Sequence, residues 1–149
     1  MAEWRARDLE EMTRLGEALA RRCRPPAVIG LEGPLGAGKT TLVRAVLMAM
    51  GHREAVPSPT YTLIESYALP AGRVHHLDLY RLGDPEELEL VGIRDLASED
   101  ALWLVEWPER GGERLPPLDY RLRLGYASTG RRISGLPADL LMPEDSKDA

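Results

Sequence analysis

Residues 31–43, LEGPLGAGKTTLV, combine the residue types that hold a phosphate chain. Glycines at 33, 36 and 38 leave a loop without bulky side chains, so its N–H groups can turn inward around an anion. Lys39 supplies a point charge for the outer phosphates of a nucleotide, and the Thr40 hydroxyl is placed to ligate Mg²⁺. The pattern GxxxxGK[ST] therefore predicts a nucleotide-binding loop, and its alternative is a chance glycine-rich turn.

The segments on either side of this loop favour the nucleotide-binding interpretation. Ala27–Leu31 is short, apolar and β-branched, as a buried strand should be, and Thr41–Met50 has the apolar spacing of a helix that ends at Gly51. The positive end of that helix would face the phosphates. The residues predicted to contact the nucleotide are Gly33, Pro34, Leu35, Gly36, Ala37, Gly38, Lys39, Thr40, Thr41 and Trp107. For Trp107, a place in the core is an equal alternative.

A carboxylate that completes a Mg²⁺ site is predicted at Glu106. The segment ALWLVEW is apolar on both faces, which indicates a strand inside the sheet, and Glu106 at its end is the only charge. An enzyme with a phosphate-binding loop needs an acidic residue there to hold the metal, directly or through water. Thr40 and Glu106 are therefore the predicted metal ligands. The alternative is a glutamate that points to solvent.

Asp78 is the second candidate acid. In HHLDLYR, period-two alternation places His76, Asp78 and Tyr80 on one face of a strand. Asp78 would assist the metal shell or position the attacking water, and its alternative is an exposed hairpin face. His75 and His76 lack the third ligand of a zinc site, so we interpret them as surface or core imidazoles.

Thr60 is predicted to sense the γ-phosphate. It lies in SPTYT, residues 58–62, where three hydroxyls follow the helix of the phosphate loop on a segment stiffened by proline. Nucleotide-dependent switches occupy this kind of position. A turn rich in capping hydroxyls is the alternative.

The remaining patterns predict one α/β domain. Strands and helices alternate, and a hairpin interrupts them, so we expect a single-domain sandwich like that of phosphate-loop NTPases, with a mixed, partly antiparallel sheet flanked by helices. The domain is predicted over 1–136, with a flexible tail over 137–149. The further predicted elements are a helix at Asp8–Arg22, a hairpin of Tyr61–Leu69 and Arg73–Arg81, a helix starting at Asp84, and late strands at Asp119–Tyr126 and Arg131–Gly135.

The composition of the chain limits the partners, the location and the nucleotide that we expect for it. The 149-residue chain is 44% hydrophobic with a net charge of −5, which argues against tight binding to nucleic acid by this chain alone. The charged N-terminus has no apolar signal region and no apolar run reaches membrane-spanning length, so we expect a cytoplasmic protein. Without asparagine there is no NKxD-type guanine-reading motif, which favours ATP.

Slow hydrolysis by the isolated chain is also expected. The sequence contains no glutamine, so the residue with which small GTPases orient the attacking water is missing. The residues predicted to line the site include no arginine to meet charge on the γ-phosphate. We therefore expect binding of ATP or ADP with weak intrinsic ATPase activity that a partner would stimulate.

Five motifs, in this order and spacing, resemble those of the TsaE family: GPLGAGKTT, SPTYTL, HLDLYRL, DPEELELVGIRD and LVEWPER. The resemblance covers roughly Leu9–Tyr126. It implies a bacterial ATPase required for making threonylcarbamoyladenosine in tRNA next to the anticodon. It implies ATP/ADP and Mg²⁺ as cofactors and the complex of TsaB and TsaD as partner, with tRNA reached only through that complex.

The resemblance also implies roles for single residues. Lys39 looks like the phosphate lysine, Thr40 and Glu106 like the Mg²⁺ ligands, and Asp78 like the essential second acid. Thr60 lies in the switch-like loop, and Trp107 follows the metal acid as it does in the family. Pro34 departs from the family, which commonly has aspartate there, so a partner contact made by that aspartate is not implied here.

Two other functions fit the same motifs. A small-molecule or nucleoside kinase would need an acceptor pocket and an arginine-bearing lid, for which the short Arg110–Arg114 loop is the candidate. A nucleotide-sensing module without significant hydrolysis is the second alternative, and the presence of both Asp78 and Glu106 argues against it.

Overall fold

The computed structural model describes residues 2–53 and 63–140. The strands are β1 Ala2–Ala6, β2 Ala27–Glu32, β3 Ile64–Leu69, β4 Gly72–Asp78, β5 Ala101–Glu106, β6 Tyr120–Tyr126 and β7 Arg131–Leu136. The helices are α1 Leu9–Arg22, α2 Lys39–Ala49, α3 Glu87–Leu90 and α4 Ile93–Ala97, and two 3-10 turns follow β5 at Pro108–Arg110 and Gly112–Arg114.

The described strands form one mixed sheet in the order β1-β7-β6-β2-β5-β4-β3. The centre is parallel, with β2 beside both β5 and β6, and β4 beside β5. Both wings are antiparallel: β3 pairs with β4 as the predicted hairpin, and β7 pairs with β6 and β1. The predicted α/β fold with a mixed sheet is confirmed.

Helices cover the sheet on two sides, and β5 lies between them. Its residues are all buried. Leu102 and Leu104 belong to the larger core with α1 and α2, whereas Trp103 and Val105 belong to a smaller core with α3 and α4. A strand with two apolar faces therefore lies inside the sheet, as its sequence predicts.

The helix that follows the phosphate loop is held tightly by α1. A Cβ atom added at Gly16 of α1 would stand 2.4 Å from the Cβ of Ala45 in α2, so only glycine permits this approach. Asp8 caps α1 by accepting a hydrogen bond from the N–H of Glu11 at 2.9 Å. The large core thus fixes α2, and with it the start of the helix at Lys39.

The ends of the chain add features that the sequence patterns do not indicate. Ala2–Ala6 forms the edge strand β1, which pairs with β7 although the segment is only five residues long and two of them are charged. The division into a domain over 1–136 and a tail over 137–149 stays a prediction. Within that tail, Leu140 is buried against the large core and Asp139 pairs with Arg22 at 2.9 Å, while 141–149 lie outside the described residues. None of the described helices is both long and apolar enough to span a membrane.

Candidate functional site

The loop between β2 and α2 has the backbone geometry that its glycines predict. Gly33 has φ 148°, and a Cβ atom there would stand 2.3 Å from the carbonyl oxygen of Leu124. Gly38 has φ 103° and precedes the first turn of α2, which has no side-chain cap. Both positions require glycine, because other residues rarely adopt these angles. The start of α2 therefore has no side-chain acceptor for its first N–H groups, an arrangement that suits an anion.

Lys39 is the buried cation of this site. Only 5% of the residue is exposed, and its Nζ donates hydrogen bonds to the carbonyl oxygens of Gly33 and Pro34, the latter at 3.2 Å. The Nζ atom also lies 4.0 Å from the centre of the Trp107 ring. Burial lowers the pKa of Lys39, and the charges of Glu106 and Asp78 oppose that shift. The ammonium group is therefore held beside both predicted acids.

Glu106 points into the site and not into solvent. It is 2% exposed, and the Thr40 hydroxyl donates to its carboxylate, 2.9 Å from Oε1 and 3.1 Å from Oε2. The two predicted metal ligands are thus in direct contact, although 66 positions separate them in the sequence. A hydroxyl that donates to a carboxylate keeps its oxygen lone pairs available for a cation.

Asp78 lies beside Glu106 because the parallel register of β4 and β5 makes the two residues Cα partners. One Asp78 carboxylate oxygen accepts a hydrogen bond from the N–H of Tyr80 at 3.1 Å. The pKa of Asp78 is raised, first by burial and second by the charge of Glu106. A divalent cation would relieve the repulsion that the Glu106 charge exerts on Asp78.

An unusual backbone conformation at Trp107 directs its ring toward the site. Its φ of 58° and ψ of 51° are left-handed, which costs a non-glycine residue about 1–3 kcal/mol. Beyond its contact with Lys39, the indole packs 5.1 Å from the Tyr80 ring, and the Arg110 guanidinium lies 5.3 Å from the centre of each of these two rings. The conformation ends β5 abruptly and aims the ring at the phosphate loop.

A cavity of about 430 Å³ joins these groups. Nine of the predicted residues line it: Leu35, Gly36, Gly38, Lys39, Thr40, Thr41, Asp78, Glu106 and Trp107. Three others lie in the loop itself: the carbonyl oxygens of Gly33 and Pro34 bind Lys39, and Ala37 is buried in the large core. Thr60 and the rest of the predicted switch segment lie outside the described residues.

The far end of the cavity is formed by residues that sequence reasoning did not include. Ala6, Arg7, Asp8, Leu9 and Met12 come from the N-terminal strand and helix, and Gly130 and Arg131 come from the turn into β7. Two of these residues are arginines, and both lie outside the set that the sequence predicted to line the site. The Arg131 side chain donates to the carbonyl of Gly36 at 3.1 Å and stacks on Tyr126, whose hydroxyl donates to the carbonyl of Leu35. The β6–β7 hairpin therefore holds the phosphate loop through hydrogen bonds to two of its carbonyl groups.

The sequence predicted His76 to be a surface or core imidazole; the core interpretation is confirmed, but the contact with Glu106 was missed. His76 is fully buried, and its Nε2 atom lies 2.7 Å from Oε2 of Glu106. The available signal was the alternation that puts His76 on the face of Asp78. The position of Glu106 on the neighbouring strand was needed to use that signal.

The residues present suit a magnesium–nucleotide complex. Across residues 2–53 and 63–140, no three acidic, histidine or cysteine side chains form a ready-made metal cage. Mg²⁺ is commonly held by one or two carboxylates together with the phosphates of its substrate, so such a cage is not needed. Thr40 and Glu106 offer hard oxygen ligands, and Lys39 offers a cation for the phosphates.

Comparison with known proteins identifies the family of this chain. Residues 6–133 match the sequence model of the family described as "Threonylcarbamoyl adenosine biosynthesis protein TsaE". The chain belongs to the TsaE family. The TsaE protein of Haemophilus influenzae is 48% identical over 106 residues, which are 71% of this chain and 67% of that protein. The TsaE protein of Treponema pallidum is 30% identical over 129 residues, 85% of this chain and 93% of that protein.

A solved structure supports the same assignment at the level of the fold. The crystal structure of Bacillus subtilis YdiB superposes with a TM-score of 0.73 at 28% sequence identity, and the match covers 89% of this chain and 82% of that one. TsaE proteins are named for the biosynthesis of threonylcarbamoyladenosine in tRNA. The resemblance expected from the five sequence motifs is therefore confirmed.

Proposed function

We propose that this TsaE-family chain binds ATP with Mg²⁺, hydrolyses it slowly by itself, and serves a TsaB–TsaD complex that modifies tRNA. The observation that carries the proposal is the direct contact between Thr40 and Glu106, beside a buried Lys39 and at the uncapped start of α2. Thr40, Glu106 and Lys39, the proposed ligands of metal and phosphate, all line one cavity. Family membership supports the link to tRNA modification and a cytoplasmic location.

Each residue has a distinct task in this proposal. Lys39 and the N–H groups at the start of α2 hold the outer phosphates, while Thr40 and Glu106 hold the metal ion. Bound Mg²⁺ would neutralise negative charge that develops on the β- and γ-phosphate oxygens. Asp78 lies next to Glu106, where its carboxylate is placed to orient a water molecule or to accept a proton from it. Trp107 covers Lys39 and excludes solvent from the ammonium group.

Slow intrinsic hydrolysis follows from how the nearby arginines are held. Of the described residues that line the cavity, two are arginines, Arg7 and Arg131. Arg131 is occupied by the Gly36 carbonyl and the Tyr126 ring, and Arg7 by the Glu11 carboxylate at 3.3 Å. Arg110 lies outside the lining and stacks on two aromatic rings. An arginine supplied by a partner is typically worth about 10³–10⁵ in rate.

Phosphate release tests the proposal. The pure protein with MgATP should turn over well below the roughly 1 s⁻¹ of ordinary enzymes, and titration with the TsaB–TsaD complex should raise the rate substantially. Fast turnover by the pure chain that the complex does not change would contradict partner stimulation. Phosphorylation of an added nucleoside or metabolite would favour a kinase, and nucleotide binding with no hydrolysis even with the complex would favour a sensing module.

A further inference from the structure

His76 is buried beside the site, where its ring contacts Glu106. None of the residue is exposed, and its Nε2 atom lies 2.7 Å from Oε2 of Glu106. It shares with Asp78 the face of β4 that is turned to α2, because the two residues are two positions apart on one strand. The imidazole thus contacts Glu106 from within the core and does not line the cavity.

The hydrogen-bond pattern defines what the ring does. A carboxylate oxygen only accepts, so Nε2 must carry the proton that lies between it and Glu106. The other ring nitrogen, Nδ1, is buried without a hydrogen-bond partner in the part of the chain that the structure describes. The hydrogen bond to Glu106 therefore fixes the orientation of the imidazole ring. The same hydrogen bond restricts the orientation of the Glu106 carboxylate.

The two hydrogen bonds to Glu106 leave it one orientation. The Thr40 hydroxyl donates from the side of the phosphate loop, and His76 holds Oε2 from the side of β4. Without His76, a carboxylate that is 2% exposed would lose a charge-assisted hydrogen bond and could rotate about its side-chain torsions. The oxygen offered to a cation would then no longer have a fixed position.

We propose that His76 is a positioning residue of the metal site, acting through Glu106. The proposal rests on the proposed function, in which Thr40 and Glu106 hold Mg²⁺. Partners of this kind typically change metal affinity or activity by about 10–100-fold when they are removed. A histidine that only fills the core would have a different signature, because an apolar side chain of similar size would replace it without affecting the metal.

Binding of a non-hydrolysable ATP analogue, measured by calorimetry in EDTA and at increasing Mg²⁺, tests the proposal in the full chain. His76→Met removes the donor, and we expect it to raise the Mg²⁺ concentration at half-maximal effect about 10–100-fold. Affinity for the analogue in EDTA should stay unchanged. His76→Gln places an amide donor near the position of Nε2 and should return the Mg²⁺ midpoint to within about threefold of the original.

The neighbouring histidine is the matched control. His75 is equally buried but lies on the opposite face of β4, where it contacts Ser66 and Trp103. His75→Met should leave the Mg²⁺ midpoint unchanged. If His76→Met does not fold by circular dichroism, His76→Asn replaces it, because its shorter amide cannot reach Glu106; it should shift the midpoint while His76→Gln does not.

The outcomes separate this proposal from the proposed function. A wild-type Mg²⁺ midpoint in the folded donor-free variant, or equal shifts in the Gln and donor-free variants, would overturn the role of His76. Glu106→Gln measured in parallel reports on the metal site itself. If Glu106→Gln also leaves the Mg²⁺ dependence unchanged, the assignment of Glu106 as a ligand fails, and the role of His76 fails with it.

Discussion

Two histidine–glutamate pairs lie on opposite faces of β4, and they differ in what surrounds the acid. His76 and Glu106 are 2.7 Å apart, with side chains at most 3% exposed. His75 and Glu99 are 3.5 Å apart, and the Glu99 side chain is 27% exposed. Glu99 is also bound by the Arg73 guanidinium at 3.1 Å, so its charge is shared with a permanent cation and with water.

The comparison teaches that residue type alone does not make a site. Burial lowers the pKa of His75, the Glu99 charge opposes this only in part, and the ring packs edge-on against Trp103. On the face of β4 that is turned to α3 and α4, His75 therefore packs in the core, and Glu99 forms an ion pair at the surface. Toward α2, the same two residue types meet Thr40, Asp78 and Lys39, and there the buried charges converge on a cavity.

The largest expected difference is between variants in which one of the two glutamates, Glu106 or Glu99, is replaced by glutamine. Glu106→Gln should lower phosphate release in the presence of the TsaB–TsaD complex at least about 100-fold, the scale of losing a transition-state contact. Glu99→Gln, on the other face, should stay within about twofold, because exposed ion pairs contribute little. Equal losses in both variants would show that the contrast between the faces is not functional.

Lys39→Ala should come next. It removes the cation beneath the phosphate loop, and loss of a charged hydrogen-bond donor is worth roughly 1.5–3 kcal/mol, or about 10–100-fold in nucleotide affinity. Equilibrium binding of ATP measures the change, and circular dichroism checks the fold. Lys147→Ala, at the only other lysine of the sequence, is the control and should bind normally. Unchanged affinity in Lys39→Ala would refute the phosphate role.

Asp78→Asn should stabilise the free protein at neutral pH. The native pKa of Asp78 is raised above its unfolded value, so the native state holds the proton to higher pH and stability falls as pH rises through that interval. The charged carboxylate is the form that burial and Glu106 destabilise, and the amide removes that charge. We expect a gain of about 2–4 °C in melting temperature, corresponding to about 1 kcal/mol.

The gain from Asp78→Asn should disappear as pH falls below about 3.9, the ordinary value of an aspartate pKa. The exposed residue Asp100, at the opposite end of β5, supplies the control variant Asp100→Asn, which should show no such pH dependence. Melting curves are recorded without nucleotide or metal. A gain that is the same at pH 3 and pH 7 would count against a charge effect.

The smallest expected effect is spectroscopic. Trp107 lies 4.0 Å from Lys39, so its emission should change when nucleotide binds. Trp103 packs with His75 on the other face and should not respond. Titration of Trp103→Phe should therefore keep the change, and Trp107→Phe should lose it. A response that persists in Trp107→Phe would place the sensing ring elsewhere.

Local patterns in the sequence were sufficient for the parts of the site that neighbouring residues build. The strand, loop and helix around Gly33–Thr41 follow from apolar spacing and from glycines at positions that require positive φ. The apolar run of β5 predicts a central strand with Glu106 at its end. Alternation in β4 predicts the face of Asp78, because side chains on a strand have a period of two.

Contacts between distant segments had to come from the tertiary structure. The Tyr126 and Arg131 side chains contact the phosphate loop across 91 and 95 positions, and no periodicity indicates which strand lies beside that loop. The short, charged segment Ala2–Ala6 becomes a strand because β7 offers it an edge. The left-handed turn at Trp107 is held by the packing around it.

The sequence by itself determined which residues could bind a nucleotide, because glycine, lysine, threonine and acidic side chains have fixed chemistry at fixed local spacing. The tertiary structure decided which of two adjacent histidines belongs to the site. His75 and His76 are the same residue type at adjacent positions, and they differ in the face of β4 that each occupies. The parallel register of β4 with β5 places Glu106 within reach of His76 alone, and such a register is a property of the assembled sheet.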